Sequence, residues 1–125
     1  AAAWLAGVAP GLQAANILVV NNYRDVETDA AAHKRTLVVR WGRRAARWQF
    51  NGSLLLAFLV PVVFLLQGYR APVLLPLILA PMAWSHSRRL AAGGDAKALI
   101  ALLGDTGKLL ALHALLFGAG LVLSR

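Results

Sequence analysis

The chain has 125 residues, 59% of them hydrophobic and 14% charged, with a formal net charge of +8 and a mean hydropathy of +0.63. That is too apolar for a soluble domain of this size, whose helices need a polar outer face. There is no cysteine, which excludes a disulfide framework and a thiolate metal site.

Ala1–Val20 is the first apolar stretch. It lacks the basic leading region of a signal peptide, so it reads as a membrane helix over about 1–21. The chain opens inside this helix without an initiator methionine, and the expectation is that it is part of a longer protein. Gln13 and Asn16 are amides within the span, expected to need helices beyond this chain to keep them out of lipid.

The stretch Asn21–Gly42 is dense with charge. Asn21, Asp25 and Asp29 are spaced i, i+4, i+8, so a helix continuing past Val20 places all three on one face, with Asn22 beside them. Two carboxylates one turn apart repel each other unless a cation lies between them. Hard oxygen ligands in this number suit Mg²⁺, which takes one or two carboxylates and fills its other positions with water and substrate phosphate. Lys34 and Arg35 follow, and lysine and arginine are the usual phosphate partners. Together these residues would make a diphosphate site. The competing reading pairs Asp25 and Glu27 with Arg24 and other bases on a solvated face, and spacing alone leaves both open.

Seven of the 13 bases lie between Arg24 and Arg47 and four between Arg88 and Lys108, leaving only Arg70 and Arg125 for the other side. By the positive-inside rule both basic connections face the cytoplasm. Trp41 and Trp48, among the arginines, read as belt residues at the headgroup level, not as a base-stacking platform, and no nucleic-acid partner is expected.

A second span is expected over about 50–67, followed by a tight turn at Gln67–Pro72. The third, about 72–88, carries Pro72, Pro76 and Pro81 and is expected to kink, which membrane helices tolerate when neighbours satisfy the freed backbone groups. Gly93-Gly94 breaks the chain before a short apolar helix, Ala96–Leu103. Gly104–Gly107 then leads into a last span over about 107–124, with Gly118 and Gly120 as close-packing points. His33, His86 and His113 lack ligand spacing and are assigned interfacial or packing roles. The fold class is all-α, a multi-span transmembrane helical bundle.

The residues Asn21-Asn22-Tyr23-Arg24-Asp25, Asp29, Lys34-Arg35-Thr36-Leu37 and Gly42 resemble the second aspartate-rich motif of the UbiA superfamily of intramembrane prenyltransferases. The likeness is greatest to the branch that prenylates 1,4-dihydroxy-2-naphthoate in menaquinone synthesis. The preceding GLQAANILVV and the terminal AKALIALLGDTGKLLALHALLFGAGL are similar to that branch too. Two departures stand out. His33 occupies a position where the branch usually has glycine, and the family's first aspartate-rich motif is absent, so the chain resembles about four of nine helices.

The resemblance implies an enzyme of the cell (inner) membrane whose active-site rim faces the cytoplasm. It implies a polyprenyl diphosphate with its tail in the membrane and two Mg²⁺ ions neutralising its head. The allylic cation then alkylates dihydroxynaphthoate with loss of the acceptor carboxylate. Carried onto this chain, Asp25 and Asp29 are the metal ligands, while Asn21, Lys34, Arg24 and Arg35 bind diphosphate. The expected partners are polyprenyl diphosphate, 1,4-dihydroxy-2-naphthoate, membrane lipid and the N-terminal helices of the same enzyme, without which the chain alone is expected to be inactive. Another aromatic acceptor, such as 4-hydroxybenzoate or a chlorin, is the nearest alternative. A non-catalytic subunit whose basic loop binds anionic lipid is a further one.

Overall fold

The computed structural model describes residues 2–124; Ala1 and Arg125, the latter counted above among the bases of the sparse side, lie outside the described residues. Five α-helices follow in order: α1 (Ala2–Arg24), α2 (Val26–Ala31), α3 (Leu37–Leu66), α4 (Ala80–Ala92) and α5 (Ala96–Leu123), with a 3₁₀ helix (Ala71–Leu79) leading into α4. Three of them, α1, α3 and α5, are long and apolar enough to cross a membrane. The 3₁₀ helix and α4 together rise about 38 Å at 2.0 and 1.5 Å per residue, enough to cross a hydrocarbon core of about 30 Å.

Prolines set the irregular path of that fourth segment. Pro72 stands in its first turn, and Pro76 cannot supply the N–H an α-turn needs there, so the chain coils more tightly until Ala80. The expected kink is therefore a change of helix type. The expected break at Gly104–Gly107 is not found, since α5 is continuous from Ala96 to Leu123. Asp95 caps it by accepting from Ala98 N at 2.8 Å, and Leu102, Thr106 and Leu109 are all buried along the same face. Two glycines cost about 1 kcal/mol each in a helix interior, less than this packing supplies. Where helical dihedrals do fail is inside α3, at Gly42 (φ 81, ψ 171).

α1 packs against α3 and α5, and the 3₁₀ helix packs against the same two. α1 and the proline segment thus occupy opposite corners of a four-cornered bundle. Val20, Tyr23, Phe50, Leu90 and Leu99 fill its basic end. Ala9, Ala57, Phe64, Val73 and Phe117 fill the other. Gly120 is the tightest point there: a Cβ on it would strike the Pro72 carbonyl oxygen, whereas Gly118 faces open space.

Gln13 and Asn16 correct the expectation that they depend on helices outside the chain. Each is only 2% exposed. Both lie between Phe50, Leu54, Thr106 and Leu109, and Asn16 Nδ2 donates to the Phe50 carbonyl at 3.0 Å. Amides inside a membrane bundle belong on such an interior face.

Candidate functional site

The charged stretch sits at the end of α1 and wraps through α2 to the start of α3. α1 stops at Arg24 because Asp25 leaves helical dihedrals (φ −95, ψ 13). The i→i−4 ladder nevertheless carries through: Asp25 N donates to Asn21 O at 3.1 Å and Asp29 N to Asp25 O at 2.7 Å. Asn21, Asp25 and Asp29 therefore keep the helical register that their spacing predicts.

Residues i and i+1 of a regular helix do not face each other, yet the bend at Asp25 lets Arg24 fold onto it. Arg24 Nε and Nη2 donate to the two Asp25 carboxylate oxygens at 2.7 and 2.8 Å, and Nη2 also donates to Asn21 Oδ1 at 2.8 Å. This fork is the strong form of a charge-assisted hydrogen bond. The Arg24 bond holds the Asp25 carboxyl below its ordinary range, aided by the charges of Arg24 and Lys34 and opposed by partial desolvation.

α2 ends in a Schellman motif. His33 N donates to Ala30 O at 3.1 Å and Lys34 N to Asp29 O at 2.8 Å, with His33 left-handed at φ 59. His33 thus adopts the conformation a glycine would supply, and the turn survives the departure noted above. The closure brings Lys34 back over α2, where its Nζ lies 3.5 Å from Asp29 Oδ1. The Asp29 side chain is 10% exposed and the Lys34 side chain 68%.

Thr36 then caps α3 by accepting from Val39 N at 3.3 Å. Arg43 lies 3.2 Å from Glu27 Oε1 and over the Tyr23 ring at 5.3 Å from its centroid. Arg47 donates to the Tyr23 hydroxyl at 3.2 Å. Tyr23, Arg43 and Arg47 are framework residues assigned no role in the site from the sequence, and an aromatic followed by arginines along the next helix was the signal. Arg35 is exposed, and among the described residues it makes no ion pair.

Of the six residues singled out, the structure brings Asn21, Arg24 and Asp25 into one cluster and joins Asp29 to Lys34, with Arg35 apart. Among the described residues no three of His, Asp and Glu come together as a metal cage. The expected donors are of the chemical kind Mg²⁺ takes. They consist of two carboxylates and an amide oxygen, all hard ligands, with Asn21 and Asp25 already turned toward one cationic group. Among the described residues the nearly buried Asp29 makes one ion pair, the 3.5 Å contact to Lys34.

The chain matches the model of the UbiA prenyltransferase family over residues 1–103. It is 36% identical over 108 residues to the 1,4-dihydroxy-2-naphthoate octaprenyltransferase of Mycobacterium tuberculosis, an alignment covering 86% of this chain and 36% of that protein. To the Mycobacterium leprae protein of the same name it is 30% identical over 117 residues, covering 94% of this chain and 39% of that protein. The chain thus spans somewhat over a third of the length of these curated relatives. No solved structure matches significantly.

Proposed function

The chain belongs to the UbiA prenyltransferase family, and on that premise we propose that it works within a membrane enzyme transferring a polyprenyl group from polyprenyl diphosphate to 1,4-dihydroxy-2-naphthoate. In this reading it supplies the second of the family's two aspartate-rich motifs, at the cytoplasmic rim of the inner membrane. The observation that carries the reading is the run Asn21, Asp25, Asp29, kept in helical register with cations folded onto both carboxylates. The names of the two relatives favour naphthoate over other acceptors.

Asp25 and Asp29 would hold Mg²⁺, with Asn21 orienting the site. When bound, Mg²⁺ supplies neutralisation of the charge that builds on the diphosphate as the allylic C–O bond breaks. Arg24 keeps Asp25 ionised and fixed in direction, and its guanidinium stands beside the carboxylates where a phosphate would arrive. Lys34, on a flexible and exposed stem, donates to the same anion, with Arg35 as a further donor. The acceptor's ring carbon takes the allylic cation, and its carboxylate leaves as carbon dioxide.

Asp25→Asn and Asp29→Asn, each made in the enzyme containing this chain, are expected to lower prenyl transfer roughly a thousandfold or more, the scale of losing a metal ligand. Lys34→Ala is milder, because neighbouring bases still reach a phosphate. The assay follows prenylated naphthoquinol in membranes given prenyl diphosphate, dihydroxynaphthoate and Mg²⁺. Full activity in both Asp variants would return the carboxylates to a solvated structural face.

A further inference from the structure

The outer face between α3 and the 71–92 segment carries a groove of about 480 Å³. Leu55, Phe58 and Val62 wall one side, Leu77 and Trp84 the other, and no residue of α1 or α2 lines it. At the basic end it closes on a polar pair, where Ser87 Oγ donates to Asn51 Oδ1 at 2.6 Å.

The same two stripes run on to charge. Arg88 follows Ser87, and Arg44 precedes Asn51 by two helical turns on the same side of α3. Both are exposed, and among the described residues neither makes an ion pair. Trp48 lies between Arg44 and Asn51 and is 71% exposed, while Trp84, a turn from Arg88, is 68% exposed.

We infer that this groove is a binding site for an anionic phospholipid of the leaflet at the bundle's basic end. An acyl chain lies between α3 and α4, the ester level meets Asn51 and Ser87, and the phosphate sits between Arg44 and Arg88. The order of chemistry along the groove is that of a lipid read from tail to head. Its length agrees: Asn51 to Val62 rises about 17 Å, close to one leaflet of a hydrocarbon core about 30 Å thick. Aromatic side chains at the headgroup boundary are the usual interfacial anchors. A prenyl diphosphate fits less well, because the groove has no carboxylate among its lining residues to hold a metal against a multiply charged head. The inference stands apart from the assignment of Asp25 and Asp29.

The test is native mass spectrometry of the protein extracted from its own membrane and exchanged into mixed phosphatidylglycerol and phosphatidylcholine. Retained phosphatidylglycerol should exceed phosphatidylcholine about tenfold or more, the scale of two bases at an anionic surface. The double variant Arg44→Gln, Arg88→Gln should level the two lipids, and Arg44→Lys, Arg88→Lys should restore the preference. Ala80→Phe, which fills the groove from an exposed position, should lower retention of both lipids, whereas Asp25→Asn should change neither. Equal retention of the two lipids, or a preference untouched by the double Gln variant, overturns the proposal. So does displacement of the lipid by farnesyl diphosphate only with Mg²⁺ and only while Asp25 is intact, which would make this the substrate's groove. A cysteine at Leu59 that cross-links efficiently to another protein segment would show protein, not lipid, covering the face.

Discussion

His33 sets the geometry of the site without touching it, and replacing it separates turn shape from charge. Its left-handed φ of 59 costs a residue with a Cβ about 1–2 kcal/mol, nearer the lower end for histidine, which populates this region more than most. His33 is exposed, so little packing is lost when it is changed. His33→Gly removes the strain but adds about 0.5–1 kcal/mol of unfolded-state entropy. The net is expected to be neutral to about 0.5 kcal/mol stabilising. His33→Val has no such offset, because a β-branched residue at positive φ is an outlier, and a local loss of about 2 kcal/mol is expected. The bond from Lys34 N to Asp29 O closes the motif and reports the change directly. Amide exchange at Lys34 should rise about 30-fold in His33→Val, since 1.4 kcal/mol is a factor of ten, and should hold or fall in His33→Gly. Prenyl transfer should follow the same order if the turn holds Lys34 against Asp29. Unchanged Lys34 exchange in His33→Val would refute the strain argument.

Asp25 gives an acid-side prediction. Its folded pKa lies below the ordinary 3.8, so the Arg24 contact contributes its stability fully above the unfolded value and loses it as pH falls through the folded one. Thermal unfolding followed downward from pH 5 should therefore show less acid sensitivity in Arg24→Gln than in the parent. Gly120→Ala should destabilise by about 1–3 kcal/mol, because the new methyl meets Pro72 and Val73 backbone rather than a yielding side chain; Gly118→Ala, facing open space, should be neutral or up to about 1 kcal/mol stabilising, and thermal melts in detergent separate the two. For orientation, a cysteine at Arg40 should resist an impermeant thiol reagent in intact cells while one at Arg70 labels; the reverse would turn the basic end outward.

The membrane class, the all-helical fold and the helical register of Asn21, Asp25 and Asp29 were legible in the sequence because each rests on local periodicity or composition. What was not legible depended on neighbours. Gly104 and Gly107 look like a break until Leu102, Thr106 and Leu109 are seen buried on one face, which outweighs a propensity cost of about 1 kcal/mol per glycine. Gln13 and Asn16 look exposed to lipid until α3 and α5 close over them. The Arg24 fork was hidden for a sharper reason: adjacent residues on a helix are not expected to meet, and only the dihedral departure at Asp25 brings them together.

The two carboxylates of the site are neutralised unequally, and the inequality bears on how a ligand would enter. Asp25 is the more exposed, at 31%, yet it is held by two short bonds to a planar guanidinium that Asn21 also fixes. Asp29 is the more buried, yet faces a single ammonium at 3.5 Å on an exposed, flexible stem. Of the two carboxylates, Asp29 is therefore the one whose cationic partner yields more readily to a divalent cation. To admit one, Lys34 gives up one long contact, whereas Arg24 would have to break two short ones. On the proposed reading Lys34 is therefore the moving part and Arg24 the fixed one. On the same reading, the arm released from Asp29 would be the one free to turn its charge toward a diphosphate.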